Sequence, residues 1–295
     1  MLPSTGFVVT ADGVRLSFQK FGTSPDTVII PNAVHMIESF KHLATQRTVI
    51  FFDLRNRGGS DSVSDSSKLA HGIHHDVDDL EAVRRHFEVE KVDLIGHSYL
   101  GLMVILYALK YPERVRRLVQ IGPAQPHAAT QYPAHFTGAD ETLAAFAGKV
   151  AELRSTPPSP DPVEACRKFW ALVRVLMVYN PSDAGKINWT PCDYPSELGF
   201  MKHFAENILP SIHRLRLTEQ EISQLKLPVL VIHGNKDRQA PYGGGREWAS
   251  ILPNARLITV EDAAHVPWIE APEKVFGSIE TFLNGEWPEE AGYCT

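Results

Sequence analysis

Short apolar runs alternate along most of the chain with segments whose apolar residues recur every three or four positions. Phe7 to Val9 and Val14 to Phe21 are β-prone stretches parted by Ala11-Asp12-Gly13. Asp-Gly between such runs signals a hairpin, so the chain opens antiparallel. Four further runs, Thr27 to Ile30, Val49 to Phe52, Val92 to Ile95 and Val115 to Ile121, have the length and β-branched content of buried parallel strands. Ile73, Val77, Leu80, Val83 and Phe87 make one apolar face of a helix whose other face carries Asp76, Asp78, Asp79 and Arg84. The alternation returns late, with a strand from Pro228 to His233, a helix near Tyr242 to Leu252, a strand from Ala255 to Val260 and a helix from Glu273 to Leu283. Strand and helix in turn imply right-handed crossovers, hence an α/β protein with a mostly parallel sheet covered by helices on both faces.

The middle of the chain breaks this pattern. From about Gly122-Pro123 to Leu225 no strand-like run occurs, and helical segments near Glu141 to Arg154, Asp161 to Tyr179 and Ser196 to Ile208 are separated by Pro157-Pro158-Ser159-Pro160 and Pro191. Residues 122–225 therefore read as a helical insertion in a core formed by residues 1–121 and 226–295. Val163, Cys166, Trp170, Val173 and Met177 form one stripe on the second of these helices, and such a stripe reads first as packing.

Composition narrows the function classes. With 295 residues, 43% hydrophobic and 22% charged, the chain has the make-up of a globular protein with a large core. Its 29 Lys plus Arg against 35 Asp plus Glu leave a net charge of −6, which offers no basic field for nucleic acid. The longest apolar run, Leu100 to Leu109 with Tyr107 inside it, is far short of the roughly 20 residues that cross a membrane. Met1-Leu2-Pro3-Ser4-Thr5-Gly6 carries neither a basic residue nor an apolar run, so a cytoplasmic protein without a secretory signal is expected. Cys166, Cys192 and Cys294 are odd in number and widely spaced, so neither a disulfide framework nor a thiolate metal site is indicated, and a Cys166–Cys192 bridge is not expected.

Candidate chemistry begins where the strand Val92 to Ile95 runs into Gly96-His97-Ser98-Tyr99-Leu100-Gly101 and then an apolar helical stretch. A strand, a glycine-bounded turn with serine at its tip, and a helix are the setting of a nucleophile elbow. The turn lifts the Ser98 hydroxyl above the sheet edge and leaves the next backbone N–H at a helix N-terminus, where it can donate to an oxyanion. Leu100 stands in place of the second glycine of Gly-x-Ser-x-Gly, with Gly101 one residue late. A serine needs a base, and a histidine base needs a carboxylate that sets its tautomer. Asp237 follows the late strand in His233-Gly234-Asn235-Lys236-Asp237, and His265 follows the next strand in Asp262-Ala263-Ala264-His265-Val266-Pro267. Both positions are strand C-terminal ends, where active-site loops of α/β sheets lie.

The order Ser98, Asp237, His265 resembles that of the α/β-hydrolase fold superfamily, in its esterase and proline-iminopeptidase-like branch, over about Phe7 to Trp287. Asp53-Leu54-Arg55-Asn56-Arg57-Gly58-Gly59-Ser60-Asp61 is similar to the family's Asp-x-Arg-Gly-x-Gly-x-Ser segment, with Asn56 for a glycine that asparagine can replace at φ > 0. Ala108-Leu109-Lys110-Tyr111-Pro112-Glu113-Arg114-Val115 is similar to the family's end of the helix after the elbow. The resemblance implies an eight-stranded, mostly parallel sheet flanked by helices with the insertion as a helical cap. It also implies Ser98, Asp237 and His265 as catalytic residues and no cofactor. Pro31-Asn32 replace the family's His-Gly, and the oxyanion donors implied are the N–H groups of Ala33 and Tyr99, with Asn32 able to add a side-chain amide.

The activity expected on this basis is hydrolysis of carboxylic esters, with lactones as a related class, through an acyl-enzyme. The aromatic content of the insertion (Phe136, Phe169, Trp170, Tyr179, Trp189, Phe200, Phe204) favours a small apolar ester as the partner molecule. Two alternatives stand beside it. The ending Phe282-Leu283-Asn284-Gly285-Glu286-Trp287-Pro288 is similar to prolyl aminopeptidases, whose Gly-Gly-Pro-Gly loop is missing, and Pro31-Asn32 with Leu100 would suit a weakly hydrolytic small-molecule-binding protein. Of the remaining groups, His97 reads as structural, Asp53 as bracing a loop, and Asp262 and Glu270 as facing solvent. His71-Gly72-Ile73-His74-His75-Asp76 reads as a solvated helix start and not a metal site. Gly243-Gly244-Gly245-Arg246 reads as a flexible lead-in to a helix and not a phosphate loop.

Overall fold

The computed structural model describes residues 2–127, 148, 149, 152 and 161–294. Eight strands form one sheet: β1 (Ser4–Val9), β2 (Arg15–Phe21), β3 (Thr27–Pro31), β4 (Thr48–Phe52), β5 (Val92–His97), β6 (Val115–Ile121), β7 (Val229–Gly234) and β8 (Ala255–Val260), in the order β1-β2-β4-β3-β5-β6-β7-β8. The opening hairpin is antiparallel, β2 is antiparallel to β4, and every later pairing is parallel. Strands β3, β4, β5 and β7 are buried at every position, as expected for β-branched runs covered on both faces. Phe7 and Val9 stay exposed because β1 is the edge strand.

The helices divide between the two faces. Helices α2 (Ile73–His86), α3 (Tyr99–Lys110) and α8 (Tyr242–Ile251) pack one apolar cluster, with Leu80, Leu102 and Trp248 fully enclosed. Helices α1 (Ala33–Phe40), α9 (Pro267–Glu270) and α10 (Pro272–Leu283) pack the other, around Phe40, Trp268 and Phe282. The chain leaves β3 toward β4 on one side and leaves β5 toward β6 on the other. The carboxyl ends of β3 and β5 therefore flank a topological switch point, where α/β sheets open a crevice.

Between β6 and β7 the described residues contain no strand. They form α4 (Pro162–Met177), α5 (Glu197–His203), a π-helical turn (Phe204–Ile208), α6 (Leu209–Arg214) and α7 (Glu219–Ser223). Asp161 caps α4 by accepting the Val163 N–H at 2.9 Å, with Pro162 in the first turn, where a missing N–H costs nothing. The helical path beginning at Glu197 runs on past Ile208 to Arg214, through a π turn just before Pro210, whose ring nitrogen has no hydrogen to give the preceding turn. Of the segment expected near Glu141 to Arg154 only Gly148, Lys149 and Glu152 are described, all three helical, and the proline run 157–160 and Phe136 lie outside the described residues.

One expectation is corrected here. Cys166 on α4 and Cys192 form a disulfide, with Cα atoms 5.8 Å apart. Spacing along the chain could not show that the turn Pro191–Asp193 folds back onto α4. No helix among the described residues is long and apolar enough to cross a membrane.

Candidate active site

At the end of β5 the chain reverses within one residue. Ser98 has φ 61 and ψ −130, a conformation a side-chain-bearing residue adopts only when its surroundings impose it. They do so through three backbone bonds: Ser98 N–H donates to Ile121 at 3.0 Å, and the Ser98 carbonyl accepts from Gly101 at 2.9 Å and Ala124 at 3.0 Å. The turn is tight enough that a Cβ on Gly96 would lie 2.3 Å from the Leu100 carbonyl oxygen, which is why glycine is required there. Position 100 carries no such restriction, and Leu100 is buried against the cavity that Ser98 faces.

Asp237 and His265 come from the loops after β7 and β8. His265 Nδ1 is 2.8 Å from Asp237 Oδ2, and both side chains are buried. His233 Nε2 approaches the same oxygen at 3.1 Å, while Asp237 Oδ1 accepts the N–H groups of Gln239 at 2.7 Å and Ala240 at 2.9 Å. Burial alone would raise the Asp237 carboxyl. The His265 ring and the His233 hydrogen bond outweigh it and hold the group well below the usual carboxylate range. His233 reaches this position because α8 presses close: a Cβ on Gly245 would lie 2.3 Å from His233 Nδ1. The glycine run 243–245 is thus the first turn of α8, where a short distance to the sheet requires it, and not a flexible lead-in.

His97 is wholly enclosed, and burial pushes its pKa well below the ordinary imidazole value. Its Nε2–H donates to the His265 backbone carbonyl at 2.9 Å, and its ring packs against His265 and Trp268, in keeping with a structural role. Glu270 corrects an expectation. Its carboxylate accepts the N–H groups of Tyr179, Asn180 and Ala264, so it clamps the end of α4 to the loop that carries His265. Asp262 is exposed.

Asn32 adopts the left-handed conformation, φ 73 and ψ 57, and its N–H donates to Phe52 at 2.8 Å. Its side-chain oxygen engages His35 Nδ1 at 3.1 Å. Ala33 and Tyr99 are the first residues of α1 and α3, so their N–H groups are among the donors a helix cannot satisfy internally. Asp53 braces the loop after β3 from below, accepting Val34 N–H at 2.8 Å and Gly59 N–H at 3.1 Å. Asn56 has φ 62, as its replacement of a glycine requires.

Ser98 and His265 line one cavity of about 200 Å³, with no hydrogen bond between them among the described residues. Such bonds are commonly long in an unliganded site and tighten around substrate. Phe169, Trp170, Val173 and Met177 of α4, with Trp189, Phe200, Met201 and Phe204, form the apolar walls. The α4 stripe is thus divided: Trp170, Val173 and Met177 face the cavity, and Cys166 is bridged. Tyr179 lies outside the cavity, beside Lys236 and Arg238. Three polar residues of the lining were not singled out from the sequence: His35, Arg57 and Gln239. Arg57 was legible only as a variable position of a family segment, and no local pattern marks the other two. The His71 and His75 rings stack at 4.6 Å, and no group of three or more His, Cys, Asp or Glu is placed to hold a metal among the described residues.

The family model for the alpha/beta hydrolase fold matches residues 30–272. The chain belongs to this family. It is 26% identical to a 2-hydroxymuconate semialdehyde hydrolase of Pseudomonas putida, with 95% of each chain covered. It is 24% identical to a proline iminopeptidase of Heyndrickxia coagulans over 95% of this chain and 98% of that one. Among solved structures, a meta-cleavage product hydrolase from Pseudomonas fluorescens superposes with a TM-score of 0.71 at 21% identity, covering 95% of this chain and 97% of that chain. At that identity the likeness shows the fold alone. The hydrolase family supports an enzyme, and the bond it cleaves is a separate question.

Proposed function

We propose that this hydrolase cleaves carboxylic esters of small, largely apolar acids through a serine nucleophile. The observation that carries the reading is the buried His265–Asp237 pair at 2.8 Å, ending in the same cavity as a serine held at positive φ. With Nδ1–H given to Asp237, His265 Nε2 is left to take the Ser98 proton as Ser98 attacks the carbonyl. The N–H groups of Ala33 and Tyr99 would receive the oxyanion, each contributing about 2.7 to 4 kcal/mol to the transition state. The alcohol leaves with the proton from His265, and water repeats the sequence on the acyl-enzyme. In this reading the helical segment 122–225 is the cap, and its aromatic walls bind the apolar part of the substrate. A cavity of about 200 Å³ lies below the usual range of roughly 300 to 1,000 Å³ and favours short chains.

A second reading, hydrolysis of a carbon–carbon bond beside a carbonyl, is favoured by full-length similarity to the 2-hydroxymuconate semialdehyde hydrolase. It uses the same three residues. The test of the first reading is a fluorophosphonate probe followed by mass spectrometry, with p-nitrophenyl acetate to octanoate as substrates. The expected result is one adduct on Ser98, fastest turnover at the short chains and loss of both in Ser98→Ala. An unlabelled Ser98, or ester turnover below about 1 per second with rapid cleavage of a vinylogous 1,5-diketone, overturns it.

A further inference from the structure

His35 stands in the first turn of α1, beside the strained Asn32, and only 4% of its surface is exposed. Its ring is wedged between Trp189, with centroids 4.6 Å apart, and Trp170 at 5.4 Å, so it has a fixed direction. Nδ1 lies 3.1 Å from Asn32 Oδ1. An amide oxygen only accepts, so the proton of the neutral ring sits on Nδ1 and the lone pair on Nε2. Burial first, and the nearby Arg57 charge second, push the His35 pKa well below the ordinary value, so the ring is neutral at pH 7. Nε2 is itself buried and has no hydrogen-bond partner. It is a lone acceptor on a residue that lines the cavity holding Ser98.

Arg57 lines the same cavity. Its guanidinium stacks on Phe200 at 3.6 Å and its Nε donates to Glu197 at 3.1 Å, while its terminal nitrogens make no hydrogen bond among the described residues. The lining of this cavity therefore includes one residue with an unmet acceptor and one with unmet donors. A hydroxyl group donates once and accepts twice, which matches both. An ammonium group matches the acceptor but meets the Arg57 charge, and a carboxylate matches Arg57 but meets the His35 lone pair.

We propose that His35 is a specificity-determining residue and that the natural substrate carries a hydroxyl group, which donates to His35 Nε2 and accepts from Arg57. This rests on the cavity of Ser98 being the active site. A substrate lacking the hydroxyl leaves a buried acceptor unpaired, which lowers kcat/KM by about tenfold or more.

The experiment compares kcat/KM within matched pairs: p-nitrophenyl butanoate against its 2-hydroxy and 3-hydroxy derivatives, and ethyl butanoate against 2-hydroxyethyl butanoate. The wild type is expected to favour at least one hydroxylated member by about tenfold or more. In His35→Phe, which keeps a planar ring without the acceptor, that ratio falls toward 1. His35→Gln, which keeps an acceptor, retains part of it. A ratio within one protein sample does not depend on how much of the sample is folded, so a poorly folding variant still reports. Ratios near 1 for every pair in the wild type overturn the proposal, as does a ratio unchanged in His35→Phe. Labelling of Ser98 by a fluorophosphonate alongside flat ratios removes this inference and leaves the esterase reading standing. No labelling and no ester turnover remove the esterase reading itself.

Discussion

Asp237→Asn exchanges one oxygen for NH2 in a site where four donors converge on one carboxylate. Oδ1 receives the N–H groups of Gln239 and Ala240, and Oδ2 receives His265 and His233. The asparagine must choose. With its NH2 toward the backbone pair, the buried Ala240 N–H is orphaned at a cost of about 1 to 3 kcal/mol. With its oxygen there instead, the NH2 faces the imidazoles. His233 can keep its Nε2–H on the Ala240 carbonyl, 3.2 Å away. His265 has no second acceptor for Nδ1 and must present a lone pair to the new NH2. The second arrangement is the cheaper one, and it moves the His265 proton to Nε2, toward Ser98. A protonated Nε2 cannot take the serine proton, so kcat should fall by about 10⁴, equivalent to about 5 kcal/mol of transition-state stabilisation. The assay is turnover of a short p-nitrophenyl ester and the rate of Ser98 labelling, with the urea midpoint measured beside them to show that the fold survives. Activity within tenfold of wild type in a folded Asp237→Asn would refute the role of this carboxylate in setting the His265 tautomer.

Three other outcomes are expected. Gly96→Ala places a methyl where a Cβ would lie 2.3 Å from the Leu100 carbonyl, so the elbow must shift. Ester hydrolysis should drop by at least about a hundredfold and the urea midpoint should fall, by the cost of about 1 to 3 kcal/mol typical of overpacking. Reducing the Cys166–Cys192 bridge, which closes a loop of residues 26 apart, removes up to about 3.5 kcal/mol by chain entropy. Because α4 and Trp189 both line the cavity, dithiothreitol or Cys192→Ser should raise KM more than it lowers kcat, and an unchanged KM would contradict that. Burial raises the Asp53 carboxyl to about 6 despite its two N–H donors. The folded state therefore holds a proton that the unfolded state releases between about pH 4 and 6, so this group's contribution favours the fold at low pH and is lost as pH rises through 6. The stability difference between wild type and Asp53→Asn, read from urea melts at pH 4.5 and 7, should move against the wild type on going to pH 7. A difference independent of pH would show that Asp53 titrates normally.

Much of the fold was legible because its signals are local. Buried parallel strands announce themselves as short β-branched runs, and all eight runs read from the sequence became strands of the sheet. The elbow was legible for the same reason: Gly96 and Ser98 sit two residues apart at a strand end, and the strained φ follows from that spacing. Asp237 and His265 were legible by chain order, which encodes strand order. Other features depended on segments meeting from far along the chain. His233 joins Asp237 only because α8 packs close enough to require Gly245. Glu270 looked solvated in the sequence and instead accepts two N–H groups some 90 positions away.

Read without its fold, the chain already declares the alternation of strands and helices, the serine turn after β5 and the order of the three candidate catalytic residues. These are set by periodicity, turn chemistry and position relative to strand ends, all readable over a few residues. The Cys166–Cys192 bridge, the division of the α4 stripe between packing and cavity, and the unmet acceptor on His35 emerge from the folded arrangement alone. Each is a property of contacts between distant segments, and whether a side chain has a partner is settled by which surfaces the fold brings together.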